Sequence, residues 1–418
     1  MTTDERLRHL EKPVREALSH FRVVVVTGPR QAGKTTLVRK VVGDAGTLVR
    51  LDRQPDLQAV LADPAAAALQ GPTPRAFDEV QRGGDPLVRA IKVVVDDNRA
   101  PGQFLLNGSA DFLTTPVLTE SLAGRAVFLE LWPFTQGEIE GRRDKFLKQA
   151  FTNRKQLLSQ DLSPVSPYDY LQRICRGGFP EVVALPEVAR GDWFSNYVRS
   201  VAQRDVTEFT GVRQAQYLPK ILSLLAARTA NELVAAHIHD EAGLGSRNTT
   251  DDYLSHLQMV YLAHLLPAWS RGLTAKIVRH PKVYIADTGL AAHLLGKDSG
   301  SLSRPTDPAR GPLVETFVAN ELLRQCSWLG WDVRLHHFRD RDRNEIDLIA
   351  EAADGRVVAL EVKAAQTVSV RDARQLKWLR DKIGNDFVCG VVLHTGERSF
   401  RLDDNIYALP ISALWLTP

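Results

Sequence analysis

Two short stretches of this chain gather residue types that could do phosphate chemistry. The first is Gly28-Pro29-Arg30-Gln31-Ala32-Gly33-Lys34-Thr35, directly after the apolar run Val23–Val26 and ahead of Thr36-Leu37-Val38-Arg39-Lys40. In the spacing G-x-x-x-x-G-K-T, successive backbone N–H groups and a helix N-terminus converge on anionic oxygens. Gly28 and Gly33 permit the backbone path. Lys34 is placed to reach the β- and γ-phosphates of a nucleoside triphosphate, and the Thr35 hydroxyl to ligate Mg2+. The run Gly28 to Thr35, with Thr36, is therefore the expected nucleotide contact. The second stretch is Asn344-Glu345-Ile346-Asp347-Leu348-Ile349 followed by Arg356-Val357-Val358-Ala359-Leu360-Glu361-Val362-Lys363. It puts two acids and a lysine at alternating positions.

Each stretch needs partners. A triphosphate site requires a carboxylate at the end of a neighbouring strand, and Asp78-Glu79 is the candidate pair. Asp78 would hold the magnesium water shell and Glu79 would polarise the attacking water. Asn107 and Ser109, at the end of Gln103–Asn107, could sense the γ-phosphate; strand-end turn chemistry is the alternative. Arg125, before Ala126–Leu131, could act on the triphosphate of this or a neighbouring subunit, or simply be a solvated arginine.

For the second stretch, Ala353-Asp354-Gly355 reads as a three-residue hairpin loop with Gly355 in the left-handed region. Ala352 then pairs with Arg356, Leu348 faces Leu360, Ile346 faces Val362, and Asp347 lies opposite Glu361 with Lys363 two residues along. A carboxylate pair repels itself and calls for a cation, so Asp347, Glu361 and the Val362 carbonyl could hold Mg2+ or Mn2+. Lys363 could orient or deprotonate a water, or offset charge on a phosphodiester. Glu315, on the helical run 312–322, could reach the same metal. Gln375 and Lys377 are weaker candidates for substrate contact. A solvent-facing hairpin with a cross-strand Asp-to-Lys pair is the competing reading.

The rest of the chain sets the frame for these sites. At 418 residues it suggests two or three domains. A net charge of +3, from 53 basic and 50 acidic side chains, means that any nucleic-acid surface must be local. Cys175, Cys326 and Cys389 are too far apart to suggest a metal or redox pair, and read as buried thiols in a reducing compartment. The polar start and the lack of long apolar runs make a cytoplasmic location the expectation.

Apolar runs at Val23–Val26, Thr47–Leu51, Gln103–Asn107 and Ala126–Leu131, with helical stretches between them, predict a mostly parallel three-layer α/β sheet. Six basic residues and one acidic residue lie between Gly141 and Lys155, and the turn-rich Ser163–Pro167 follows. A boundary is expected near 140–165. Residues 168 to 265 read as helical, Lys297 to Pro312 as a linker, and the last hundred residues as mixed α and β. The expected division is 1–150, 165–300 and 305–418.

Taken together, these motifs resemble the bacterial and archaeal family of AAA-type ATPases that join a phosphate-loop domain to a C-terminal domain of unknown function. The matching residues are Gly28 to Thr35, Phe77 to Arg82, Asn107 to Ser109 and Glu120 to Arg125. Further along they are Gly177 to Glu181, Tyr253-Leu254, Lys282 to Leu290, Glu315 to Val318, Glu345 to Asp347 and Glu361 to Lys363. Similar sequences often carry Thr or Ser where this chain has Asn107.

The resemblance implies ATP binding and hydrolysis, a winged-helix-like middle region, and an α/β C-terminal domain similar to PD-(D/E)XK nucleases. There Asp347, Glu361, Lys363 and Glu315 would form the metal site. Glu232–Gly243 and Thr249–Tyr261 would be the helix pair of the middle region, although Asp251 and Asp252 would meet DNA phosphates unfavourably. Two functions stay open: an ATPase joined to a metal-dependent DNA nuclease, possible as a homo-oligomer, and an ATP-gated switch that binds DNA or protein without cutting.

Overall fold

The computed structural model describes residues 6–108, 121–158, 164–208, 217–244, 247–270 and 280–416. Ser109 and Glu120 lie outside them. The chain forms two compact units, one of residues up to Phe134 together with Met259–Tyr261, the other holding the remainder from Thr135.

The first unit is built on β1 (Val23–Thr27), β2 (Thr47–Arg50), β3 (Arg75–Asp78), β4 (Phe104–Asn107) and β5 (Ala126–Glu130), in the order β2-β3-β4-β1-β5. Every pairing is parallel. Such a sheet buries both faces, and β1 and β4 are accordingly buried at every position. Phe77, Phe104 and Leu106 pack with Leu87, Val88 and Ile91 of the helix Gly84–Asp97. β3 looks too poor in apolar residues to be a strand. It forms because Ala76 and Phe77 are held between two neighbours and fully buried. Register puts Val26 level with Asn107, and Phe77 with Leu106. Thr27, Asp78 and Asn107 therefore end at one edge of the sheet.

The second unit contains two sheets. β6 (Asn231–Glu232), β7 (Ala263–Leu266) and β8 (Lys282–Ile285) form a small antiparallel sheet with β8 central. It follows the helices Tyr217–Ala226, Ala235–Ala242 and Arg247–Met259. The larger sheet holds β9 (Val333–Arg339), β10 (Glu345–Ala352), β11 (Val357–Lys363), β12 (Phe387–His394), β13 (Phe400–Asp403) and β14 (Ile406–Pro410), in the order β13-β14-β12-β11-β10-β9. β9, β10 and β11 are antiparallel, and β12 joins β11 in parallel after the helix Arg374–Ile383. Val357 and Ala359 pack with Leu376 and Leu379 of that helix. Alternate residues Val358 and Leu360 are equally buried, and the helix Arg310–Cys326 lies in contact with β11.

The expected breaks near 140–165 and at 297–312 both fall inside the second compact unit. Residues 135–158 belong with the C-terminal sheet through buried bonds. The Gln136 amide donates to Glu321 Oε2 at 3.2 Å, and the Leu147 amide to Gln325 Oε1 at 3.0 Å. The supposed linker holds a helical turn, Ser299–Leu302, capped by Asp298. The Gly-Gly-Phe-Pro interruption is a joint. Asp287 Oδ2 accepts from the Gly178 amide at 2.7 Å while its Oδ1 caps the helix Thr288–Leu294 at Leu290. Gly177 has φ +72, and a Cβ there would lie 2.2 Å from Asp287 Oδ1.

Candidate functional site

The loop after β1 has the shape its spacing predicts. Gly28 has φ +135, and a Cβ there would sit 2.0 Å from the Leu131 carbonyl oxygen, so only glycine fits. Gly33, at φ 96 in the left-handed region, starts the helix Lys34–Val42. Gln31 also has positive φ, at 62°. Lys34 is 8% exposed, and its ammonium donates to the Gly28 and Pro29 carbonyls at 2.8 and 2.9 Å. Burial pushes its pKa down to about 8, opposed by the charges of Glu79 and Asp78. A buried ammonium that faces neutral carbonyls gains from an incoming polyanion.

Thr35 and Asp78 meet, the hydroxyl donating to Asp78 Oδ1 at 3.0 Å. Burial raises the Asp78 carboxyl, and its neighbours Thr35 and Asn107 oppose that rise. A hydroxyl and a carboxylate together beside a phosphate loop fit a magnesium ion, which takes oxygen ligands and few protein groups. Glu79 is held in the left-handed region at φ 58, ψ 47, a conformation that non-glycine residues seldom keep without support. Its support is visible: the Glu79 amide donates to Asn107 Oδ1 at 3.2 Å, and Gln81 donates to the Glu79 carboxylate. Asn107 thus positions Glu79. Gln81 lies against Gly108, where a Cβ would come within 2.6 Å of its Oε1.

Arg125 does not join this group. It precedes β5, and its carbonyl accepts from the amide of Val23, the first residue of β1. In a parallel sheet that is the end opposite the loop, and the guanidinium pairs there with Asp96. This structure does not bring Arg125 to the phosphate loop of its own chain. Conversely, Arg8 was not visible as a site residue. It is buried, and donates to the Ala32 carbonyl at 3.1 Å and the Trp132 carbonyl at 2.6 Å, bracing the loop from behind.

The second cluster lies within the second unit. The hairpin forms as its loop predicts: Gly355 has φ 84, the Ala352 amide donates to the Arg356 carbonyl, and Leu348 faces Leu360. Beyond that pair the expected register fails. β10 shifts register against β9 between Ile346 and Ile349, and both isoleucines enter the same core. The Val362 amide bonds to Asp347 Oδ2 at 2.9 Å, so a side chain takes the place of the ladder partner expected near Ile346.

Asp347, Glu361 and Glu315 do come together, with a partner the spacing did not reveal. Lys282 of β8 puts its ammonium 3.0 Å from Glu315 Oε1, 3.3 Å from Glu345 Oε1 and 3.7 Å from Asp347 Oδ1. Tyr284, two residues along the same strand, donates its hydroxyl to Glu315 Oε1 at 2.8 Å. Lys363 pairs with Glu361 Oε2 at 2.8 Å. Burial and the neighbouring Asp347 charge push Glu361 up to about 8, and Glu315 up to about 7. Lys282 is driven the other way from Lys34: the carboxylates around it overcome burial and raise it.

The expected metal site therefore does not fit as this chain builds it. Glu315 and Asp347 are already paired with Lys282, and Glu361 with Lys363. Among the described residues no group of three or more His, Cys, Asp or Glu side chains is disposed to hold an ion. Lys377 is tied to Asp403 rather than to this cluster, and Gln375 is half-buried on the same helix. Asp251 and Asp252 are exposed on the first turns of the helix Arg247–Met259.

Residues 20–140 match the AAA domain family, and residues 168–301 and 310–414 each match a domain of unknown function (DUF8612 and DUF4143). An uncharacterized protein of Mycobacterium tuberculosis is 29% identical over 409 residues, covering 97% of this chain and 83% of its own. One from Haemophilus influenzae is 24% identical over 284 residues, 66% of this chain and 62% of its own. A Walker-type ATPase of Pyrococcus abyssi aligns with a TM-score of 0.42 and 17% identity over 69% of this chain and 95% of its own. The N-terminal unit carries an AAA-type phosphate-loop domain, and among the described residues no helix is long and apolar enough to cross a membrane.

Proposed function

We propose that the chain binds and hydrolyses ATP with Mg2+ and works as a nucleotide-gated binding protein whose C-terminal unit does not cut. The observation that carries the first half is the meeting of Thr35 and Asp78 beside a buried Lys34. In this reading the backbone of Gly28 to Gly33 and Lys34 bind the β- and γ-phosphates, with Pro29, Arg30, Gln31 and Ala32 supplying the loop and Thr36 the first turn behind it. Thr35 and Asp78 hold the magnesium, which offsets charge on the phosphates. Glu79, fixed by Asn107 and Gln81, orients the attacking water and draws off its proton. Adenine is assigned from the match to AAA domains.

The second half rests on the C-terminal cluster. The order helix, three antiparallel strands, helix, parallel strand (Arg310–Cys326, β9 to β11, Arg374–Ile383, β12) supports a likeness to the PD-(D/E)XK fold. Its acids, however, are paired with lysines, Glu315 and Asp347 with Lys282 and Glu361 with Lys363, so metal-dependent hydrolysis is not assigned to them. The partner recognised, DNA or protein, is what ATP would gate. The test is ATP binding and turnover by the full chain. Lys34→Ala strongly weakens binding, and Glu79→Gln retains binding and loses turnover. Turnover that persists in both variants refutes the reading.

A further inference from the structure

The carboxylate cluster of the second unit raises a separate question, which survives even if the ATPase reading fails. Glu315, Asp347 and Glu361 arrive from the helix Arg310–Cys326, β10 and β11, and a fourth acid, Glu345, sits at the rim. Acids brought this close need a cation among them. The cation present is Lys282, and its placement is built. β8 is the central strand of its sheet, with Lys282 paired to Glu232 on one side and Leu266 on the other, so its backbone cannot slide. Residues two apart on a strand share a face, and Tyr284, itself fully buried, reaches the same Glu315 oxygen. Lys282 is 2% exposed, unlike a surface ion pair. A second observation shows an unmet demand for positive charge or donors in the same group of acids: Glu361 is 5% exposed and its Oε1 is buried without a hydrogen-bond partner.

We propose that Lys282 is the resident cation of this cluster: its ammonium takes the charge-balancing role of a divalent ion at Glu315 and Asp347, excludes Mg2+ and Mn2+ while it is there, and leaves a divalent-metal site when it is removed. Lysine cannot polarise a water or a phosphodiester as a divalent ion does. The ammonium that keeps the acids together therefore also keeps the cluster from hydrolysis. Glu361 and Asp347 would supply the oxygens that suit Mn2+ once Lys282 is gone.

The experiment is Mn2+ binding, read as loss of the free-ion EPR signal. It uses the full nucleotide-free chain carrying Thr35→Ala and Asp78→Asn, so that the other candidate ion site is silent. With Lys282 intact, no Mn2+ uptake that depends on Asp347 is expected. Lys282→Met takes up about one ion per chain, in line with the oxygen set available. Adding Asp347→Asn removes that uptake, and Lys282→Arg, which keeps a cation, shows none. Thermal unfolding is run alongside, where Mn2+ raises the midpoint of Lys282→Met and leaves the Lys282 protein unmoved. Asp347-dependent Mn2+ binding with Lys282 present overturns the proposal, as does a folded Lys282→Met protein that binds none. If Lys282→Met does not fold, the Lys282 protein decides by itself: Asp347-dependent uptake overturns the proposal, and its absence supports it.

Discussion

Both clusters bury a lysine, and the two lysines are treated in opposite ways. Lys34 faces the carbonyls of Gly28 and Pro29, and burial pushes it down to about 8. Lys282 faces Glu315, Glu345 and Asp347, and their charge raises it in spite of burial. Desolvation penalises either ammonium; what differs is whether the protein supplies the counter-charge. At Lys34 most of that demand is left for a ligand to meet, which is the condition of a binding site. At Lys282 it is met internally, which is the condition of a structural element. Two sequence motifs that both suggest phosphate chemistry thus diverge once the third dimension supplies, or withholds, a partner.

The comparison breaks most sharply if Lys282 can be lost without harm. Lys282→Met should cost about 3–5 kcal/mol, the range for removing one member of a buried ion pair, read as a lower midpoint in urea or thermal unfolding. A change within error would mean that the acids do not need it. At the other lysine, Lys34→Ala should leave stability nearly intact and weaken ATP binding by about 100-fold or more, as for loss of a charged phosphate contact, measured by calorimetric titration. Glu79→Gln comes next. Turnover should fall about 100- to 10,000-fold, the range for a positioned general base, with ATP affinity retained. Equal loss of both would reassign Glu79 to binding.

A pH series sharpens the contrast. In the nucleotide-free protein Lys34 loses its proton near pH 8, so ATP affinity should fall by up to about tenfold per pH unit above that. The sign for folding is reversed. The unfolded chain keeps this proton up to about 10.5, binds more protons than the native state between about 8 and 10.5, and is therefore disfavoured as pH rises through that window. Lys282, raised rather than lowered, should keep its ion pairs over the same range. Flat affinity from pH 7 to 9.5 would show that Lys34 is not held as described. The smallest effect belongs to Arg125. Paired with Asp96 at the far end of the sheet, its replacement by Ala should leave turnover of the dilute chain unchanged. A loss that appears only as protein concentration rises would place it at a neighbouring subunit's nucleotide.

What could be read from residues alone follows the range of the interactions involved. The phosphate loop is local: eight consecutive residues and a preceding strand dictate its shape, so Gly28, Gly33, Lys34 and Thr35 were legible. Asp78 and Asn107 followed because parallel strands end together at one edge. The same logic places Arg125, just ahead of β5, at the wrong end. The hairpin at Gly355 was legible as far as Leu348 and Leu360, since turn geometry fixes register outward from the loop. It failed at Ile346, where a register shift against β9 depends on a third strand. The roles of Lys282 and Arg8 were not legible for one reason: each acts on residues tens of positions away, and although Lys282 opens a stretch that matches the family, nothing in that stretch ties it to Glu315 or Asp347.

The Asp287 joint bears on how the molecule can be dissected. Gly178 and Asp287 stand 109 positions apart, yet one carboxylate serves both as the cap of a helix and as the acceptor for that distant amide. A fragment that starts between them strands a buried acid without its Gly178 donor, and one that stops between them leaves that amide without its acceptor, outcomes that should show as aggregation on expression. Workable truncations must keep the span from the helix Pro167–Arg176 through the helix Thr288–Leu294 in one piece.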